Sequence, residues 1–131
     1  MKVTLVILII LTLCLLSLAY SFTNNKFSDP EKTFLTFQNA LKKENYRLAW
    51  KCISEDGKKK WPNFKTFKEH SNKHIFNEGK IGLLEAKIVR CDIIENVSGI
   101  IIKNSNLARV ELVKEKGKWK IGDVVRVKEV Q

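Results

Sequence analysis

Residues 3–19 are apolar except for Thr4, Thr12, Cys14 and Ser17, and a single basic residue, Lys2, precedes them. This is the order of a secretory signal peptide, a charged start followed by an apolar run. Small residues at Ala19 and Ser21 flank Tyr20, and polarity begins with Thr23-Asn24-Asn25-Lys26, so cleavage is expected after Ser21. The alternative is an uncleaved anchor, since about 17 residues is the shortest helix that spans a bilayer. Cys14 is not read as a lipidation site, because Leu13 stands where a small residue is required and Leu15-Leu16 carry the apolar run past it.

After this segment the apolar positions recur every three to four residues. Ser28-Asp29-Pro30-Glu31 supplies a capping side chain, a first-turn proline and an acid, and predicts a helix over 30–43 with Phe34, Phe37, Ala40 and Leu41 on one face. Tyr46, Ala49, Trp50 and Ile53 restore the spacing and predict a second helix, ended by Glu55-Asp56-Gly57. A lysine run and Trp61-Pro62 break the chain, and a third helix begins near Asn63, with Phe64 and Phe67 as core aromatics.

From Gly82 the period changes to two. Leu84, Ala86 and Ile88 share one phase and Val89, Cys91 and Ile93 the other, which predicts a bulge or bend at Ile88-Val89. Strands follow at 97–103 and 107–114, and Lys116-Gly117 turns the chain into a last strand over 119–130. Trp119, Ile121, Val125 and Val127 are read on one face of that strand, with Asp123 sharing their phase. The expected fold is therefore α+β: N-terminal helices on a curved antiparallel sheet of about four strands. The expected organisation is a signal peptide or anchor over 1–21 and a single domain over 22–131.

Charge and cysteines adjust this picture. The chain carries 24 Lys and Arg against 14 Asp and Glu, a net charge of +10. Such a surface favours anionic surroundings, an envelope surface among them. Only four of the basic residues are arginine, the side chain suited to bidentate phosphate recognition. Lys58-Lys59-Lys60-Trp61 and Lys65, Phe67 and Lys68 interleave basic and aromatic positions, but Trp61 and Phe67 are needed for a small core, and no nucleic-acid partner is expected. Cys52 and Cys91 remain after cleavage; in an oxidising compartment they form one disulfide, and otherwise two separately buried thiols.

Candidate chemistry is sparse. Asp123 on an apolar face, with Tyr46 as a donor to a developing oxyanion, is the pair that acid–base catalysis would use. The competing reading of Asp123 is a Gly122-Asp123 bulge that turns the carboxylate outward. His70 and His74 are spaced i, i+4, as in many zinc sites, but Glu69 points elsewhere on the helix and Glu78 lies beyond it. Two ligands do not make a site, and no metal or other cofactor is expected.

Asp29-Pro30-Glu31-x-x-Phe34-x-x-Phe37, Ala40-Leu41-Lys42-Lys43-Glu44-Asn45-Tyr46 and Gly117-Lys118-Trp119-Lys120-Ile121 stand in three helices and a four-stranded meander. Over residues 28–127 this arrangement resembles the nuclear transport factor 2-like superfamily, with its cystatin-like cone, and within it the small exported bacterial members of unknown function. The resemblance implies helices covering a cone-shaped sheet, with a site for a small ligand or a protein partner at the cone mouth. The same fold hosts isomerases, dehydratases and inert accessory domains, so it does not supply an activity. The reading carried forward is an exported, non-enzymatic accessory domain binding a ligand or an envelope protein at the cone mouth. The alternatives are an isomerase or hydratase using Asp123, and a scaffold that forms homodimers through its sheet face. Location would be periplasmic, extracellular or the outer face of the cytoplasmic membrane.

Overall fold

The computed structural model describes residues 2–72, 82–104 and 107–126. Helix α1 (Lys2–Asn25) is continuous. Over Lys2–Ser21 its mean hydropathy is 2.7 and none of it is buried, so by length and composition it can cross a membrane.

Helix α2 (Pro30–Lys42) begins where the sequence signals it: Asp29 Oδ1 accepts from the Lys32 amide at 2.8 Å and Pro30 occupies the first turn. It ends at Glu44, whose φ of 57° lets the Asn45 amide reach back to Ala40 O at 2.8 Å. Its inward face carries Phe34, Phe37, Ala40 and Leu41, all buried. Gln38 is buried as well, and its Nε2 donates to both Leu83 O and Ala86 O at 2.9 Å, tying α2 to the start of the sheet.

The second predicted helix is two. Helix α3 (Tyr46–Lys51) stops at Cys52, and a short α4 (Glu55–Lys58) starts again with Ser54 Oγ accepting from the Gly57 amide at 2.9 Å. Cys52 to Ser54 are withheld from the helix by the sheet: Ile121 N–H donates to Cys52 O at 2.7 Å and Ser54 N–H to Ile121 O at 2.8 Å. Ile53 thus bridges Ile121 in parallel. Two good interstrand bonds replace the helical ones that this segment would have made. Helix α5 (Phe64–Asn72) starts as expected, with Asn63 Oδ1 accepting from the Thr66 amide at 3.0 Å.

The sheet is antiparallel in the order β1-β2-β3-β4, with β1 (Lys87–Ile94), β2 (Val97–Lys103), β3 (Leu107–Glu115) and β4 (Lys118–Arg126). The sequence pattern started this region one turn early: residues 83–85 form a 3₁₀ turn and pairing begins at Lys87. The bulge expected at Ile88-Val89 is present, as the register shifts between Ile88 and Arg90. Lys116 and Gly117, with φ of 49° and 77°, form the two-residue turn between β3 and β4.

A second bulge changes the reading of β4. Leu112 pairs with Ile121 but Glu111 pairs with Asp123, so Gly122 is the extra residue. The phase of side chains reverses there. Trp119 and Ile121 face the core, Val124 takes the next inward place opposite Val110, and Val125 is 44% exposed rather than packed. Val127 lies outside the described residues. The core lies between the helices and the sheet face formed by Ile100, Ile102, Ala108, Val110, Leu112, Trp119 and Ile121, with Phe34 and Phe67 fully buried against it.

Candidate functional site

Four aromatic rings close one end of the helical layer. Phe67 is fully buried, with its ring centre 5.1 Å from that of Trp50 and 5.2 Å from that of Trp61, the latter at 81°. Phe64 stands 6.0 Å from Trp50 at 67°. Edge-to-face contacts at these separations are the favourable aromatic geometry and hold Trp61 in place, although Pro62 bars it from a helix.

Trp61 is one wall of a cleft of about 200 Å³ lined also by Phe37, Ile53, Ile121, Gly122 and Val124. Lys60 and Asp123 complete it. Their side chains are ion-paired and each is about half exposed, so the pair lies on the solvent side of an apolar space. Each wall has a separate origin: Phe37 from the buried face of α2, Ile53 from the segment drawn onto β4, and Val124 from the phase reversal at Gly122.

Asp123 is accordingly placed by the bulge and not in the apolar phase first read for it. Besides Lys60 Nζ, its Oδ1 accepts from the Val124 amide at 2.7 Å. The hydrogen bond from Lys60 chiefly, with the Val124 amide and the Lys60 charge, holds its carboxyl below the usual carboxylate range against a smaller opposing effect of burial. A base for proton abstraction is more effective when its pKa is raised toward the working pH. Tyr46 packs part-buried on the edge of the core, its pKa raised by desolvation and by Glu44, and it is not among the residues that line the cleft. Asp123 and Tyr46 are therefore not brought together in that cavity.

The remaining candidates separate in the same way. His70 is exposed and its Nδ1 lies 3.1 Å from Thr66 O, one turn earlier in α5, while His74 and Glu78 lie outside the described residues. Among the described residues no group of three or more His, Cys, Asp or Glu side chains is placed to hold a metal ion.

The structure holds Cys52 and Cys91 as free thiols. Cys52 is buried beneath the helices, with Sγ 3.2 Å from Leu48 O, whereas Cys91 stands on β1 with Sγ 3.5 Å from Ser98 Oγ. Burial pushes the Cys52 thiol up to about 12, despite the opposing charges of Lys120 and Lys26. At neutral pH iodoacetamide should modify Cys91 but leave Cys52 intact until denaturant is added, since the thiolate is the reacting form. Peptide mass spectrometry reads this directly, and a Cys52–Cys91 bridge would instead protect both in denaturant.

Lys60 and Val124 carried no local signal as site residues. Lys60 belongs to a lysine run in which Lys58 and Lys59 pair three residues back with Glu55 and Asp56, while Lys60 pairs with a residue 63 positions away. The arrangement defines an α+β domain of helices followed by a four-stranded antiparallel sheet, with an apolar N-terminal helix and a small apolar cleft. No known protein family, curated protein or solved structure matches this chain.

Proposed function

We propose that this chain is an exported accessory domain with the nuclear transport factor 2-like cone architecture, which binds a small, largely apolar ligand in the cleft between the helical layer and β4. The observation that carries the proposal is the cleft itself: about 200 Å³ walled by Phe37, Ile53, Trp61, Ile121 and Val124, with its one ion pair at the open side. A space of this size fits a single ring, as an apolar cavity of about 150 Å³ fits benzene. The neutralised Lys60–Asp123 pair offers a polar end that can donate to or accept from one substituent.

Binding is favoured over acid–base chemistry because Asp123 is held ionised by Lys60, which makes it a poorer proton acceptor. Export is supported by α1, either as a signal removed after Ser21 or as an anchor retained in the membrane. The cone is supported by the order of elements and by the bulges at Val89 and Gly122, because bulged strands bend and twist more strongly. The positive charge of the chain suits an anionic envelope surface.

Indole is a suitable probe. Titrated into the isotope-labelled full chain, it should shift the amide resonances of Gly122 and Val124 first. Val124→Trp, which fills the cleft from its sheet wall, should weaken that binding by about tenfold or more. Shifts scattered over the surface, or an affinity that Val124→Trp leaves unchanged, would remove the cleft as the binding site.

A further inference from the structure

The two edges of the sheet are finished differently. On the first half of β4 the outward backbone groups are taken: Trp119 N–H donates to Phe27 O at 3.1 Å, and Ile121 exchanges bonds with Cys52 and Ser54. Strand β1 is the opposite edge, and among the described residues no backbone pairs with its outer side. An open edge is a template for another strand, here over residues 90–94, which run regularly beyond the bulge.

The side chains along it are apolar where an edge is normally protected. Val89, Ile93 and Ile94 are 60%, 55% and 76% exposed, and Val97 across the turn is 51% exposed. Among the described residues beyond α1, the other exposed large apolar side chains are Leu35 and Val125. The apolar exposure of the folded domain is therefore concentrated on this edge and its turn.

The charges on β1 identify what fits it. Arg90 and Asp92 are two residues apart on the sheet face away from the core, paired at 2.8 Å and 69% and 53% exposed. If a second β1 is laid antiparallel with Cys91 opposite Cys91, Arg90 falls opposite Asp92 twice, and Ile93 comes beside the bulged Val89 of the other copy. Opposite charges facing each other across strands are favourable and like charges unfavourable. The neighbouring registers that keep the same faces aligned are poorer: centring on Arg90 sets arginine against arginine, and centring on Asp92 sets aspartate against aspartate. The strand is thus complementary to itself in one register.

We propose that β1 is the interface of a homodimer, in which a second copy of this chain adds its own β1 antiparallel about a two-fold axis at Cys91 and joins the two sheets into one of eight strands. The contact is edge to edge, so it leaves the cleft beside β4 free and does not depend on ligand binding there. No covalent bond is required, but Cys91 sits on the axis and reports on the contact.

The test uses the full chain in detergent micelles carrying Cys14→Ser, so that Cys91 is the accessible thiol and Cys52 is protected by burial. A short bis-maleimide should link two copies through Cys91, and sedimentation should show a dimer without the linker. Asp92→Arg sets arginine against arginine at both symmetric positions and should weaken dimerisation by about tenfold. The double variant Arg90→Asp with Asp92→Arg restores the opposition and should recover it. Both side chains are exposed, so neither variant threatens the fold. A chain that stays monomeric, or a dimer that Asp92→Arg leaves intact, as one held through α1 would be, overturns the proposal.

Discussion

Replacing Phe67 by alanine is expected to cost about 3–5 kcal/mol of folding stability, the range for removing a large aromatic from a closed core. The value should lie in the upper part of that range, because the site cannot readily collapse. Phe67 has no exposed surface, and three of its neighbours are themselves large rings: Trp50 at 5.1 Å, Trp61 at 5.2 Å and Phe64 at 6.4 Å. Rigid rings do not flow into a void as a methionine does, so the lost contacts stay lost. The same substitution removes the support behind Trp61, and Trp61 walls the cleft. Urea unfolding of the full chain in micelles, followed by tryptophan fluorescence, measures the first effect, and the indole titration measures the second. A loss below about 1 kcal/mol would mean that Phe67 is not packed as described.

The second large effect is expected at Gly57, where alanine should destabilise by about 2–3 kcal/mol and valine by more. The cause is space. A Cβ built there meets Ile53 Cγ2 at 2.8 Å, Ile121 O at 2.9 Å and Gly122 O at 3.0 Å. Ile53 Cγ2 is fixed to the branched β-carbon, the two carbonyls belong to β4, and Ile121 O already accepts the Ser54 amide. Relief therefore means pushing α4 off the sheet, which breaks that bond and widens the cleft. The Ser54 amide should then exchange its hydrogen much faster than in the parent chain, a change that hydrogen-exchange mass spectrometry resolves. Unchanged stability in Gly57→Ala would show that α4 does not lie against β4.

Gly57 also marks the limit of what could be read locally. In the sequence it looked like the stop of one helix over the stretch from Tyr46, because Ile53 continued the helical spacing of Ala49 and Trp50. The spacing was real, but the edge of β4, about 70 residues further on, offered Cys52 and Ser54 better partners, and the helix was divided. Elsewhere local signals were sufficient. The Asp29-Pro30 cap placed α2, Asn63 placed α5, Lys116-Gly117 placed the last turn, and the doubled apolar pair Ile88-Val89 marked a bulge.

The candidate site was less legible than the fold. In the sequence, alternation puts Asp123 on an apolar face, and Gly122 is the residue that can undo that alternation. A period-two pattern cannot say whether a glycine is passed through or bulged out, since the two chains have the same sequence and differ only in pairing. The register opposite Glu111 and Leu112 decided it, turning Asp123 toward Lys60 and Val124 toward Phe37 and Trp61. Cys52 and Cys91 stand apart, one in the core and one on an edge strand.

By itself the sequence determined the apolar N-terminal helix, the succession of helices before strands, the caps and turns, and most of the buried positions, because each depends on residues within a turn or two of one another. Only the tertiary structure decided the split of α3 from α4, the phase of β4 beyond Gly122, the pairing of Lys60 with Asp123 and the separate fates of Cys52 and Cys91. These depend on which distant backbone groups and charges meet, and such meetings are selected by the packing of the whole core rather than by any local preference.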